Sequence, residues 1–158
     1  MRAWRISRKR YAKNAFDGEG AYRYGGRWNS RGVRVVYLSS SPALAALEVL
    51  VNAADPQLLR TIPHLAIPVE FDSSLLTRPE RLPKNWSDDP PPKSAARMGD
   101  TWVISAVSLL LEVPSAVIPF ENNYLLNPAH PAMRSLHIGN PQAFSFDPRL
   151  LRRPTSPE

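Results

Sequence analysis

Residues 33–54, VRVVYLSSSPALAALEVLVNAA, decide the fold, because they predict a strand followed at once by a helix. Valine and tyrosine alternate over residues 33–38, which is the two-residue period of a half-buried strand with Tyr37 on its buried face. Ser41 then precedes Pro42, and a capping serine followed by proline at the first helical position is typical of a helix start. The stretch therefore predicts a strand over 33–38 and a helix that begins at Pro42.

Outward from this stretch the chain predicts further short elements, because its 17 prolines limit the length of any helix. These are strands over 65–71, 113–120 and 144–146, a helix over 101–111 capped by Asp100, and loops over 18–32 and 78–97. Pro68 interrupts the strand over 65–71, which predicts an edge position or a bulge. The irregular order of elements predicts one α+β domain over residues 1–158, with mixed, mostly short strands, a few short helices and a tail over 151–158.

The composition excludes several classes of protein. The 158 residues include no cysteine, so a disulfide framework, a zinc–thiolate site and a thiol nucleophile are impossible. The three histidines are scattered, so we expect no metal site. No apolar run approaches the ~20 residues of a membrane helix, and the first residues lack the apolar stretch of a secretory signal. The sequence therefore predicts a cytoplasmic protein with no membrane contact.

The net charge of +6 comes entirely from the front of the chain. Residues 1–34 hold ten basic and two acidic side chains, a balance of +8, whereas the other 124 residues hold ten basic and twelve acidic, a balance of −2. Such a surplus predicts an anionic ligand or partner. A nucleic acid is one alternative, although no helix-turn-helix, RNA-binding or zinc-finger signature accompanies the cluster from Arg5 to Lys13.

Glu48 is the most informative single residue, because it is the only charged side chain between Pro42 and Ala54. On a helix it stacks with Leu44 and Val51, and a carboxylate on a buried stripe costs several kcal/mol unless it is paired or protonated. Either Glu48 is a structural glutamate paired with an arginine, or it is a carboxylate at the floor of a pocket.

Four other polar residues have a structural and a functional interpretation. Arg27 lies in GGRWN, where glycines allow close approach of a ligand and the guanidinium matches phosphate oxygens, yet an ordinary turn is equally consistent. Tyr37 is either a core aromatic residue or a ligand contact. Ser115 has no GxSxG motif around it and predicts packing rather than nucleophilic catalysis. Asn123 is equally compatible with a cap or a turn.

Five blocks in order carry a family resemblance: GGRWNSRG, VVYLS, ALAALEVL, GDTW and VPSAVIPFENNYLLNPAHP. The series resembles the RES-domain family, named for its arginine, glutamate and serine, and the opening AWRI and DGEGAYRYGG also fit the start of that family. The resemblance runs from about Arg2 to Leu150, with no clear counterpart for the proline-rich segment 78–97.

The resemblance implies an ADP-ribosyltransferase-like fold and an enzyme that consumes NAD as its substrate, with no bound cofactor and inorganic phosphate as one candidate co-substrate. The catalytic residues it implies are Glu48, Arg27, Tyr37 and Ser115, and the NAD-binding residues are Arg27, Trp28, Tyr37, Ser115 and Asn123. In this interpretation Glu48 stabilises an oxocarbenium-like ribose, Arg27 binds phosphate, and Ser115 orients Glu48 or a ribose hydroxyl.

The resemblance also leaves functions and partners open. Family members cleave the nicotinamide–ribose bond of NAD with water or phosphate, or transfer ADP-ribose to a protein, and the sequence favours NAD degradation by a toxin of a toxin–antitoxin pair. We expect a cognate antitoxin with an Xre-type helix-turn-helix region, a toxin homodimer within the complex, and no direct DNA contact by this chain. The remaining alternatives are a basic nucleic-acid-binding protein and an inert interaction module.

Overall fold

A computed structural model describes residues 1–151. Within these residues eight strands form one sheet: β1 (Arg2–Arg8), β2 (Val36–Ser39), β3 (His64–Glu70), β4 (Leu76–Thr77), β5 (Leu110–Pro114), β6 (Asn122–Leu126), β7 (His137–Ile138) and β8 (Gln142–Phe144). The strand order is β4-β5-β6-β2-β1-β3-β7, and β8 also pairs with β3. Only β4 and β5 run parallel among these pairs. The helices are α1 (Glu19–Tyr24), α2 (Pro42–Val51) and α3 (Lys93–Ser105), with short 3-10 turns between elements.

The predicted strand–helix unit is present, with the strand shifted by a few residues to Val36–Ser39. The Oγ of Ser41 accepts a hydrogen bond from the backbone N–H of Leu44 at 3.0 Å, so the predicted helix cap is confirmed. The helix buries Leu44 and Ala45, and Ala45 packs with Ile6 of β1. The expected α+β class with short strands and few short helices is therefore confirmed.

The sheet is covered by apolar residues on both faces. One cluster includes Val36 and Leu38 of β2. The other includes Trp28, Trp102 and Leu125, with Tyr37 packed against it. Because side chains alternate along a strand, Tyr37 and Ser39 lie on the face opposite Val36 and Leu38.

The helix predicted over 101–111 is wrong in its bounds. The observed helix spans Lys93–Ser105, so the last residues of the predicted 78–97 loop are helical. Asp100 lies inside this helix and is not its cap, because its carboxylate accepts the backbone N–H of Ser30 at 2.9 Å. The 18–32 loop prediction also fails in part, since α1 lies within it.

The strand predicted over 113–120 is correct only for Val113 and Pro114, the last two residues of β5. The chain leaves β5 at Pro114 and re-enters the sheet at Asn122. Between them the Oγ of Ser115 accepts the N–H groups of Val117 and Ile118, both at 3.0 Å, which closes a turn.

The third strand is found at His64–Glu70, but its predicted edge position is wrong. It pairs with β1 along one side and with β7 and β8 along the other. Pro68 falls between the residues that pair with β8 and those that pair with β7, so its missing N–H removes no bond from either ladder. The last predicted strand, over 144–146, is wrong in its bounds, because β8 spans Gln142–Phe144 and shares only Phe144 with it. Of the predicted tail, residues 152–158 lie outside the described residues. No helix in residues 1–151 is long and apolar enough to cross a membrane.

Candidate active site

The carboxylate of Glu48 is held from one side by two neutral polar side chains. Its Oε1 accepts hydrogen bonds from the Oγ of Ser115 at 2.9 Å and from the Nδ2 of Asn123 at 2.6 Å. Within residues 1–151 no lysine or arginine forms an ion pair with Glu48, which removes the structural alternative of an arginine partner. Its Oε2 accepts no hydrogen bond in that same range, so one oxygen is fixed and the other keeps its lone pairs.

Ser115 orients Glu48 because its other hydrogen-bonding capacity is used by the backbone. The side chain is 0% exposed, and its Oγ already accepts two backbone N–H groups. Its hydroxyl proton is therefore free to point only at Glu48, to which it donates. A buried hydroxyl in this arrangement fixes the position of the carboxylate.

Asn123 is fixed in turn by Ser39, a residue that sequence reasoning missed. These two residues are register partners on β6 and β2, and the Oγ of Ser39 donates to the Oδ1 of Asn123 at 2.8 Å. This bond sets the amide so that its Nδ2 points at Glu48. Three strand ends, those of β2, β5 and β6, thus meet at one carboxylate. We call Glu48, Ser115, Asn123 and Ser39 the glutamate cluster.

Arg27 lies on a tight turn that needs its glycines. Gly25 has φ +71°, a left-handed conformation that glycine adopts without strain. A Cβ on Gly26 would lie 2.5 Å from the hydroxyl oxygen of Tyr37, which leaves no room for a side chain. Asn29 is 1% exposed, and its Nδ2 donates to the backbone oxygens of Ala21, Ser30 and Val33, which ties the turn to the segments on either side of it. We call residues 25–30 the arginine turn.

Tyr37 fastens the arginine turn to β2. Its hydroxyl donates to the Oδ1 of Asn29 at 2.8 Å and accepts the backbone N–H of Trp28 at 3.1 Å. Burial raises the pKa of Tyr37 above its usual value, so the hydroxyl keeps the proton it donates; the N–H of Trp28 and the charge of Arg27 oppose that rise and the charge of Glu48 adds to it.

Helix α3 supports the turn from the other side. A Cβ on Gly99 would lie 1.8 Å from the backbone oxygen of Trp28, so the helix and the turn touch backbone to backbone. The next residue, Asp100, accepts the N–H of Ser30. These two contacts account for Gly99 and Asp100, the first two residues of the GDTW block.

The guanidinium of Arg27 is bound by the proline-rich segment. Its Nη1 donates to the backbone oxygens of Trp86 at 2.6 Å and of Asp88 at 2.8 Å. The ring of Trp86 stacks on that of Trp28, with centroids 5.9 Å apart and planes 22° apart. Trp28 itself is 2% exposed, so its ring is buried beneath the ring of Trp86.

The sequence-predicted residues therefore fall into two groups. Glu48, Ser115 and Asn123 form one, and Arg27, Trp28 and Tyr37 form the other, with β2 running between them through Tyr37 and Ser39. Arrangements of three or more histidine, aspartate or glutamate side chains able to hold a metal ion are absent from residues 1–151.

Arg5 is a second residue that the sequence placed differently. The sequence places it in the basic cluster from Arg5 to Lys13, but it is a half-buried residue of β1, and desolvation of its guanidinium lowers its pKa to about 10. Its Nη1 donates to the backbone oxygen of Tyr37 at 2.9 Å, and its Nε has no hydrogen-bond partner among residues 1–151. The signal in the sequence was an arginine inside the apolar stretch AWRI. Its buried charge lies against the strand that carries Tyr37.

Several other charges of the basic front are paired. Arg2 bonds Glu70, and both Arg23 and Arg34 bond Glu19. Exposed pairs of this kind contribute little stability, but they reduce the surplus that a phosphate backbone would meet. The structure thus provides less of a continuous basic surface than the sequence predicts.

The domain is similar to proteins of a known family. A model described as the RES domain matches residues 2–147, so the chain belongs to the RES-domain family, as the sequence blocks indicated. Among curated proteins it is 42% identical over 151 residues to "Toxin Res" of Yersinia enterocolitica, covering 95% of this chain and 99% of that protein. It is 36% identical over 155 residues to "Prs ADP-ribosylating toxin" of a Sphingobium species, covering 95% and 96%.

A solved structure shares the fold. It is the crystal structure of the M. tuberculosis MbcT–MbcA toxin–antitoxin complex, with a TM-score of 0.73 and 17% sequence identity over 95% of this chain and 86% of that one. At that identity the likeness establishes the architecture.

Proposed function

We propose that this chain is the toxin of a toxin–antitoxin pair and that it cleaves the nicotinamide–ribose bond of NAD. The observation that carries the proposal is the carboxylate of Glu48, whose Oε1 is fixed by Ser115 and Asn123 while Oε2 accepts no bond within residues 1–151. The names of the relatives support the toxin part, because both describe toxins.

The chemistry needs one well-placed negative charge. When the bond between ribose C1′ and the nicotinamide nitrogen breaks, the bonding pair leaves with nicotinamide, which becomes neutral. The ribose is left with oxocarbenium character, and a fixed carboxylate stabilises that positive charge as it develops. The oxygen of the acceptor then bonds C1′, and the acceptor loses a proton. Glu48 needs no reorganisation for this task, because the glutamate cluster already holds it.

Arg27 supplies the charge that the other half of the substrate requires. A guanidinium binds phosphate oxygens through paired N–H groups, and the diphosphate of NAD is its natural ligand in this site. Tyr37 lies on β2, with its hydroxyl on the arginine turn, and we assign its ring to the side of the nicotinamide ribose. The substrate thus spans from the glutamate cluster to the arginine turn.

The acceptor is either inorganic phosphate or water, which makes the chain an NAD phosphorylase or an NAD glycohydrolase. A protein acceptor is the second candidate, and one observation favours it: a relative 36% identical to this chain is named an ADP-ribosylating toxin. We favour degradation of NAD by phosphate or water.

The partners belong to the same proposal. We propose a cognate antitoxin with an Xre-type helix-turn-helix region, a homodimer of this chain within the complex, and a cytoplasmic location. Support comes from the solved structure with the same fold, whose title describes a toxin–antitoxin complex. DNA contact would then be made by the antitoxin.

The purified chain tests the reaction class directly. Incubated with NAD, it should release nicotinamide; with phosphate present the mass of the other product should be that of ADP-ribose 1″-phosphate for phosphorolysis, and of ADP-ribose for hydrolysis. Labelled NAD that ends on a protein band would support transfer instead. No release of nicotinamide under any of these conditions, with the chain folded, would contradict the proposal.

A further inference from the structure

The proline-rich segment is built into the site. We call residues 78–92 the clasp. It is attached to the sheet by Arg78, whose Nη2 lies 2.8 Å from the Oε2 of Glu112 on β5. Leu82 and Trp86 pack against the apolar cluster that contains Trp28. The clasp is therefore fixed at both the sheet and the arginine turn, which a solvent-exposed linker would not be.

The hydrogen bonds of Arg27 show what the clasp does. A guanidinium carries N–H donors on Nε, Nη1 and Nη2. Within residues 1–151 both hydrogen bonds of the side chain come from Nη1, which donates to the backbone oxygens of Trp86 and Asp88. The Nε–Nη2 edge donates to no acceptor within residues 1–151. That edge is one of the paired N–H forks that bind an oxyanion through two oxygens.

The partners of Nη1 leave the charge of Arg27 available. Backbone carbonyls are neutral dipoles, so they orient the guanidinium without cancelling its charge. A carboxylate partner would cancel it, and no carboxylate of residues 1–151 forms an ion pair with Arg27. The arrangement is that of a cation positioned for an anion which the protein itself does not supply.

We propose that the clasp is a positioning element of the substrate site, in which Trp86 sets the guanidinium of Arg27 so that its Nε–Nη2 edge meets the diphosphate of a dinucleotide. Trp86 acts through two contacts, its ring on Trp28 and its backbone oxygen on Nη1. The proposal rests on the function proposed above, because that function supplies the diphosphate.

The expected effect falls on substrate binding. Arg27 binds a part of the substrate remote from the bond that breaks, so losing its alignment weakens ground state and transition state alike and raises KM more than it lowers kcat. A misplacement of about 1 Å costs up to ~100-fold, so we expect Trp86→Ala to raise KM for NAD roughly tenfold or more. Trp86→Phe keeps a stacking ring and should stay near the parent. Asn85→Ala, an exposed neighbour on the clasp, is the matched control and should equal the parent.

A double-mutant cycle separates positioning from mere stability. If Trp86 acts through Arg27, Trp86→Ala should add no further rise in KM once Arg27→Ala is present. An equal rise in both backgrounds, or an unchanged KM in Trp86→Ala, would overturn the proposal. Circular dichroism monitors folding, and if Trp86→Ala does not fold, Trp86→Leu, which keeps an apolar side chain without the ring, replaces it in the same cycle.

The same double-mutant cycle can be followed by measuring ligand affinity as well as activity. The affinity of each variant for ADP-ribose, measured by calorimetry, should weaken by the same factor as KM rises. If the parent binds ADP-ribose yet releases no nicotinamide, the proposed function fails while the cycle still tests the clasp. If the parent is active and Trp86→Ala binds ADP-ribose as tightly as the parent, the function stands and the role of the clasp is wrong.

Discussion

The glutamate cluster and the arginine turn hold their charged side chains in different ways. Glu48 is fixed by side-chain hydrogen bonds from Ser115 and Asn123 at the ends of two strands. Arg27 is fixed by backbone oxygens and by close packing of the turn against α3. Substitutions in the cluster should therefore alter the reaction with little change in the fold, whereas substitutions around the turn should alter stability and substrate affinity.

The largest effect on stability should come from the contact between α3 and the arginine turn. In Gly99→Ala the new Cβ would overlap the backbone oxygen of Trp28, and both atoms belong to rigid backbone. We expect the free energy of unfolding to fall by about 3 kcal/mol or more, measured by urea denaturation. Gly20→Ala is the control, because nothing lies within 4 Å of its Cβ and it sits in α1, where alanine favours the helix. Equal denaturation midpoints for Gly99→Ala and the parent would show that the turn is not anchored as described.

A smaller effect, expressed mainly in the reaction, should come from Asn123→Ala. It removes a 2.6 Å hydrogen bond to the carboxylate of Glu48. Hydrogen bonds to charged groups contribute about 1.5–3 kcal/mol, so we expect kcat to fall roughly 10- to 100-fold. Ser39→Ala, one bond further from the carboxylate, should show a smaller loss of the same kind. If Ser39→Ala lowered kcat more than Asn123→Ala, the inferred chain of hydrogen bonds from Ser39 through Asn123 to Glu48 would be wrong.

The smallest effect should come from Tyr37→Phe, which tests whether the turn can be loosened without touching the cluster. The Oδ1 of Asn29 and the N–H of Trp28 would each lose a partner. We expect a loss of about 1–2 kcal/mol in the free energy of unfolding, with KM rising more than kcat falls. Tyr24→Phe, at a residue 75% exposed, should change neither quantity. A fall in kcat alone would instead place Tyr37 at the reacting atoms.

Local signals in the sequence predicted the parts of the fold that are locally determined. The cap at Ser41 and the strand before it depend on neighbouring residues, and both are present. Asp100 resembles a helix cap in the sequence, but its carboxylate bonds Ser30, 70 residues away. Helix α3 starts instead after Pro92, where no side chain caps it. A capping pattern cannot reveal such distant partners.

The same limit applies to the site. The pattern around Glu48 showed that its carboxylate is out of place on an apolar helix. Its partners lie 67 and 75 residues further along the chain, and the pairing of β2 with β6 brings Ser39 to Asn123. Strand register is set by the whole sheet, so Ser39 could not be found from the sequence alone. The contact of the clasp with Arg27 could not be predicted either. Its acceptors are backbone oxygens, which every residue has, so no residue type indicates them.

The most direct test of the account is nicotinamide release from NAD by Glu48→Gln. The amide keeps the size of the side chain and removes its negative charge, so the stabilisation of the ribose cation is lost while the fold is kept. We expect kcat to fall by about 100- to 1,000-fold, with Glu70→Gln, an exposed glutamate on β3 that pairs with Arg2 outside the site, at the parent rate. Release of nicotinamide by Glu48→Gln at the parent rate would contradict the central role of this carboxylate.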